Sequence, residues 1–200
     1  MGIFSPHFRL EELEGVFFDE EKRCFDSLKA SGFTIPGAVL FYPGAGVDFA
    51  HTAKLTDLCS SADITWVIAD LQDYSIPFCR GFSRITGGTR YKLKDRKDRK
   101  EAVFRFRDRR VRFVFFVNDV NKSLPSILDK GFNSYFERAF EICREAGFME
   151  QVIKMIDDGG LLITDAGRLE REGLEEVMIP EETRKLGFYK NFTVYRKIAP

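Results

Sequence analysis

The 200-residue sequence predicts an open, mostly parallel α/β sheet. Three observations predict it. Short, continuously apolar runs read as strands covered on both faces, helical segments alternate with them, and each run ends in a polar or acidic residue, where such sheets hold their ligands. The length suits one domain over residues 1–200, able to bury about two-thirds of its unfolded surface. Residues 1–35 read as an N-terminal helical extension, and residues 71–110 as an irregular basic insertion.

Residues 19–31 predict a helix because Cys24, Phe25 and Leu28 fall at helical spacing and Gly32 supplies a left-handed stop. Pro36 and Gly37 form a turn, and residues 38–42 form the first buried strand. It runs into Pro43, Gly44, Ala45 and Gly46, and a helix follows over residues 52–60 through Leu55, Leu58 and Cys59. Residues 64–69 make the second strand, ending at Asp70. Residues 111–117 form the most apolar strand, ending at Asn118 and Asp119. AVFRFRDRRVRFVFF reads as two strands joined at Asp108 and Arg109. Helices are expected over residues 134–145, through Phe136, Ala139, Phe140 and Cys143, and over residues 149–156, stopping at Gly159 and Gly160. Residues 161–164 form the next strand, ending in Asp165. Residues 186–189 and 192–196 form a closing hairpin.

Lys plus Arg balance Asp plus Glu at 31 each, yet the charge is unevenly spread. From Arg90 to Arg112 there are twelve basic and four acidic residues, with aromatics between the arginines, a pattern suited to phosphate contact and base stacking. Cys24, Cys59, Cys79 and Cys143 form no C-x-x-C pair, so neither a zinc site nor a disulfide framework is expected. No signal-peptide core or membrane span is read, Pro6 breaks the N-myristoylation pattern, and a cytoplasmic location is expected. The abundant Phe is assigned to core packing.

The GAG turn at Gly44 to Gly46, the acid Asp70, DDGGLLITD from Asp157 and LGFYKNFTVYRK from Leu186 occur in an order that resembles the class I S-adenosylmethionine-dependent methyltransferases. The resemblance implies a Rossmann-like sheet with a C-terminal antiparallel hairpin, divergent between the second and fourth strands. It implies S-adenosylmethionine as cofactor, held by Tyr42, Pro43, Gly44, Ala45, Gly46, Asp48, Asp70 and Leu71. Asp70 would accept from the ribose hydroxyls. Asn118 and Asp119, after the strand that in this family flanks the transferred methyl, are the expected catalytic positions. Two positions depart from the family pattern: Tyr42 stands where the family usually has an acid, and Asp48 where it has a third glycine. No metal is implied; Phe49 in place of the last glycine of G-x-G-x-x-G argues against a nicotinamide site, and the absence of G-x-x-x-x-G-K-S/T excludes a P-loop enzyme.

Three readings stay open. One is a methyltransferase of unassigned acceptor. The second is a degenerate relative that binds or interacts without catalysis, and the third is a nucleic-acid-binding protein using residues 90–112. His51, with no partner acid evident, reads as a surface or capping residue.

Overall fold

The computed structural model describes residues 19–138, 140, 145–186 and 192–199. Its strands are β1 (Val39–Pro43), β2 (Asp63–Asp70), β3 (Lys92–Asp95), β4 (Lys100–Phe106), β5 (Arg109–Val117), β6 (Phe132–Phe136), β7 (Ile156–Thr164), β8 (Leu174–Glu176) and β9 (Thr193–Lys197). The helices are α1 (Asp19–Ala30), α2 (Phe49–Leu58), α3 (Ser75–Ile85), α4 (Val120–Ile127) and α5 (Phe148–Met155), with a 3₁₀ turn over Glu181–Leu186. All nine strands join one sheet in the order β3-β4-β5-β2-β1-β6-β7-β9-β8. Its centre, from β5 to β7, is parallel, and both flanks are antiparallel.

Side chains alternate across the strands, so a strand with no polar position must be covered twice. Leu40 and Tyr42 of β1, Trp66 of β2 and Phe113 of β5 enter one core with α1, α2 and α3. Phe41 and Val67 enter the other with α4 and α5. Three layers result, helix–sheet–helix.

The first core explains most of the Phe. Phe113 meets Phe78 and Phe82 of α3 edge-on at 5.1 and 4.8 Å, and Phe82 meets Phe104 at 5.0 Å. The insertion expected over residues 71–110 is therefore regular, made of α3 and the hairpin strands β3 and β4. Pro77 and Gly81 obscured α3 in the sequence. Pro77 sits in its first turn, where a missing amide costs little. Gly81 is there because a Cβ would lie 2.2 Å from the Phe49 ring of α2. The expected β4–β5 hairpin is present, and Arg107 takes a positive φ of 56° in its turn.

The helix expected over residues 134–145 is corrected. Phe132–Phe136 is a strand between β1 and β7, buried on both faces, while residues 139 and 141–144 lie outside the described residues. Gly159 and Gly160 also differ from expectation, lying inside β7 rather than before it. Between the pairs Phe132–Ile156 and Ser134–Leu161, β7 has three more residues than β6, and the glycines absorb this bulge. A Cβ on Gly160 would lie 2.1 Å from the Asn133 carbonyl oxygen. Gly160→Ala should therefore cost about 3 kcal/mol, read as a lowered urea midpoint with unchanged slope.

β9 pairs antiparallel with β7 and with β8. Leu186 ends the 3₁₀ turn, and residues 187–189 lie outside the described residues. Among the described residues no helix is long and apolar enough to cross a membrane.

Candidate functional site

The carboxyl ends of β1 and β2 lie side by side, with Pro43 paired to Ala69. Gly44 leaves β1 at φ 62° and donates its amide to the Ala69 carbonyl at 2.8 Å. Gly46, at φ 53°, donates its amide to Asp70 Oδ2 at 3.0 Å. The left-handed backbone at both positions favours glycine, and at Gly44 a Cβ would also stand 2.7 Å from the Phe140 ring. The glycine turn and the acid of the second strand are thus hydrogen-bonded parts of one rim. Pro43 and Ala45 are buried in its base.

Asp70 is partly buried, and that burial raises its carboxyl above the ordinary value, against the backbone amides of Gln72, Gly46 and Leu71. The Gln72 amide reaches Oδ1 at 3.3 Å. Of these amides, Gly46 and Gln72 make hydrogen bonds, one to each oxygen, and since each oxygen can accept twice one position remains on each. Two vicinal hydroxyls fit that pair. Leu71, next in the chain, is 73% exposed, and Val117 at the end of β5 is 51% exposed, so apolar surface lies beside the carboxylate. The amides of Ala45 and Val47 have no partner among the described residues. These donors and acceptors can meet a vicinal diol and a carboxylate.

Asp48 and Tyr42, the two departures from the resembled pattern, are a single contact. The Tyr42 hydroxyl donates to Asp48 Oδ2 at 2.7 Å. Asp48 Oδ1 caps α2 through the His51 amide at 3.3 Å and meets His51 Nδ1 at 2.8 Å. The backbone at Asp48 has φ −77°, so a third glycine is not required conformationally. His51 is corrected from a surface residue to a buried one, 2% exposed, with Nε2 3.5 Å from Glu21 of α1. Glu21 also pairs with Arg138, just past β6, at 3.2 Å.

Burial would raise the Asp48 carboxyl, but the imidazolium and its hydrogen bond outweigh it and hold the group at about 2. Burial would lower His51, but Asp48 and Glu21 outweigh it and hold the ring above 6.5. Tyr42 is pushed well up by burial and by the Asp48 charge. The signs give a window. Asp48, depressed, adds stability above the ordinary carboxylate range that is lost as pH falls toward 2. His51, raised, adds stability below 6.5 that is lost as pH rises through its folded value. Wild-type protein should therefore lose more thermal stability between pH 6 and pH 9 than His51→Gln does.

Asn118 and Asp119 stand elsewhere than expected. Their strand, β5, pairs with β2 on the side away from β1, because Val111, Phe113 and Phe115 pack beneath α3. The strand on the other side of β1 is β6, and Glu137 and Arg138 follow its end. Asp119 caps α4 through the Asn121 amide at 3.2 Å and pairs with exposed Lys122 at 3.0 Å, which lowers its carboxyl. Asn118 lies next to Asp70, donating its amide to the Asp70 carbonyl at 2.9 Å. These two residues therefore flank the Asp70 end of the rim.

Glu137 is the residue the sequence reading missed. It is fully buried, with the Tyr135 hydroxyl on Oε2 at 2.7 Å and the Thr164 hydroxyl on Oε1. It ties the carboxyl ends of β6 and β7 together. Its signal was the aromatic run FNSYFE, which helical spacing concealed.

Among the described residues no three His, Cys, Asp or Glu side chains gather as metal ligands. Burial pushes the Cys59 and Cys79 thiols up to about 12. A wider hollow between residues 128–131 and 154–158 opens at the amino ends of β6 and β7, away from Asp70.

No family model and no curated protein matches the chain. Among solved structures it is similar to an rRNA methylase from Streptococcus thermophilus, at 9% identity and a TM-score of 0.48 over 98% of this chain and 100% of that one. It is also similar to a provisionally identified rRNA methylase from Clostridium thermocellum, at 11% identity and a TM-score of 0.49 over 92% and 98%. The architecture is instead read from the sheet itself. Its first strand ends in the GAG turn, its second in Asp70, and β9 runs antiparallel to the fifth parallel strand, β7. The chain has a Rossmann-like, class I methyltransferase-like fold.

Proposed function

We propose that the protein is an S-adenosylmethionine-dependent methyltransferase whose cofactor lies across the GAG turn and Asp70. The observation that carries this reading is the Gly46 amide bonded to Asp70, which sets the glycine turn and the free acceptor positions of the carboxylate on one rim. In this reading Asp70 accepts from the ribose, Leu71 and Val117 border the base with Asn118 beside them, and the amides of Ala45 and Val47 face the methionyl carboxylate. Tyr42 and Pro43 form the floor, and Asp48 holds the start of α2. Bound there, the cofactor supplies an electrophilic sulfonium methyl. The chain's own part is chiefly alignment of an acceptor with that carbon. The acceptor enters near the ends of β1 and β6, where Arg138 follows Glu137.

The non-catalytic alternative drew on Tyr42 and Asp48. Both Asp48 oxygens are engaged, by Tyr42 and His51, so the departure presents no bare carboxylate to a ligand. Thermal unfolding with and without S-adenosylmethionine and its demethylated product tests the reading. A rise with both supports it, and no rise with either overturns it.

A further inference from the structure

The outer face of β3, β4 and β5 is more basic than the fold requires. Cross-strand register places Lys92 beside Val103 and Val103 beside Arg112, Lys94 beside Glu101, and Arg105 opposite Arg110. All lie on one face, because directly paired residues share a side. The other face, with Ala102, Phe104 and Phe113, packs beneath α3. Neither apolar core takes a side chain from the basic rows, and Lys92, Lys94, Val103, Arg105 and Arg110 are exposed. Only past Arg112, at Phe116, does this face join the core under α4.

Two kinds of cation stand here. Lys92 and Lys94 lie on the edge strand, where lysine discourages pairing with another sheet, and that alone accounts for them. Arg105 and Arg110 lie on inner strands and face one another directly. Like charges in that position destabilise a sheet. The available carboxylates do not offset them. Arg110 has only Asp63 at 3.4 Å, both side chains well exposed, and Glu101 is already shared by Arg99 and Arg112 at 2.8 Å each. Lys92, Lys94 and Arg105 have no ion-pair partner among the described residues. A repulsion built into two inner strands makes sense when a polyanion covers it. Guanidinium forks match phosphate oxygens in pairs, which ammonium groups do not.

We infer that this face binds the phosphodiester backbone of a nucleic acid. The face also points toward the candidate site, since the strand bearing Arg110 and Arg112 ends beside Asp70. Asn118 lies six positions after Arg112, on the order of 20 Å of extended chain. A strand laid along the face therefore leads to the rim. That the bound nucleic acid is the methyl acceptor rests on the proposed function; the binding itself does not.

The test is fluorescence anisotropy of labelled single-stranded and double-stranded RNA and DNA with the full chain, over a range of salt. Expected is sequence-tolerant binding that weakens linearly on a log–log salt plot, with RNA against DNA deciding which backbone is used. Arg105→Gln/Arg110→Gln should reduce that slope by about 1.5, since each lost phosphate contact removes roughly 0.7–0.9. The same variant should melt no lower than wild type, because a like-charge pair has been removed. Lys22→Gln/Lys29→Gln on α1 should leave binding unchanged. The inference is overturned by absence of binding at low salt, by an unaltered slope in the arginine variant, or by equal competition from poly-glutamate, which would mark an acidic protein surface. Cofactor stabilisation measured on the same samples separates the two outcomes, because it fails only when the methyltransferase reading fails.

Discussion

Asp70→Ala is expected to fold and to lose the response to S-adenosylmethionine. A ligand that binds only the native state, at a hundredfold excess over its dissociation constant, adds about 2.7 kcal/mol. For a chain of this size that raises the melting temperature by roughly 5–11 °C. In the proposed site Asp70 supplies a carboxylate held by backbone amides with acceptor positions still open. Two hydrogen bonds to a charged acceptor contribute about 1.5–3 kcal/mol each, so their loss weakens binding at least a hundredfold. At the same ligand concentration the stabilisation then shrinks to a few tenths of a kcal/mol. The structural cost of the variant is small by comparison. Gly46 loses one amide partner, about 1 kcal/mol, and the burial that holds the Asp70 carboxyl up is relieved. Asp119→Ala is the matched control. It loses a helix cap and should keep the full ligand response. An Asp70→Ala protein that still gains wild-type stabilisation would remove Asp70 from the site.

How much of this was legible follows from what each residue could signal locally. The ends of β1 and β2 were readable because apolar runs, glycine and acid are chain-local marks, and the fold brings them together as expected. Sheet order was not readable. A strand buried on both faces has no alternation, so Phe132–Phe136 could satisfy helical spacing as well, and its neighbour status beside β1 passed to β5 by default. That one exchange moved Asn118 and Asp119 away from the end of β1 and hid Glu137. α3 was masked by Gly81, whose reason is the Phe49 ring of another helix, a contact with no trace in spacing. The bond between Tyr42 and Asp48 likewise spans the turn itself, so the two departures read as separate losses although they are one interaction.

That bond sets the second large expectation, which concerns Asp48→Gly. Restoring the glycine of the resembled pattern should destabilise the protein by about 3–5 kcal/mol. The sum has a physical basis. The α2 cap adds only a few tenths of a kcal/mol because glycine also caps well, and nearly all of the cost comes from leaving a buried imidazolium and a buried phenol without this acceptor. Tyr42 is 1% exposed and His51 2%, so water cannot readily replace Asp48 for either. Tyr42→Phe alone should cost only about 1 kcal/mol, because the hydroxyl leaves and Asp48 keeps His51. Once Asp48 is glycine, Tyr42→Phe should instead be neutral or stabilising, since it removes a phenol that has lost its partner. A double-mutant cycle by urea unfolding reads this as a coupling of about 1–3 kcal/mol between positions 42 and 48. Additive costs would mean that the two departures are independent after all. The cofactor response should survive in Asp48→Gly below its lowered melting temperature, because the proposed site uses Asp70 and the Asp48 oxygens are turned to Tyr42 and His51. In this chain the acid near the turn therefore maintains the start of α2, which leaves the acid at the end of β2 as the one proposed to meet the ligand.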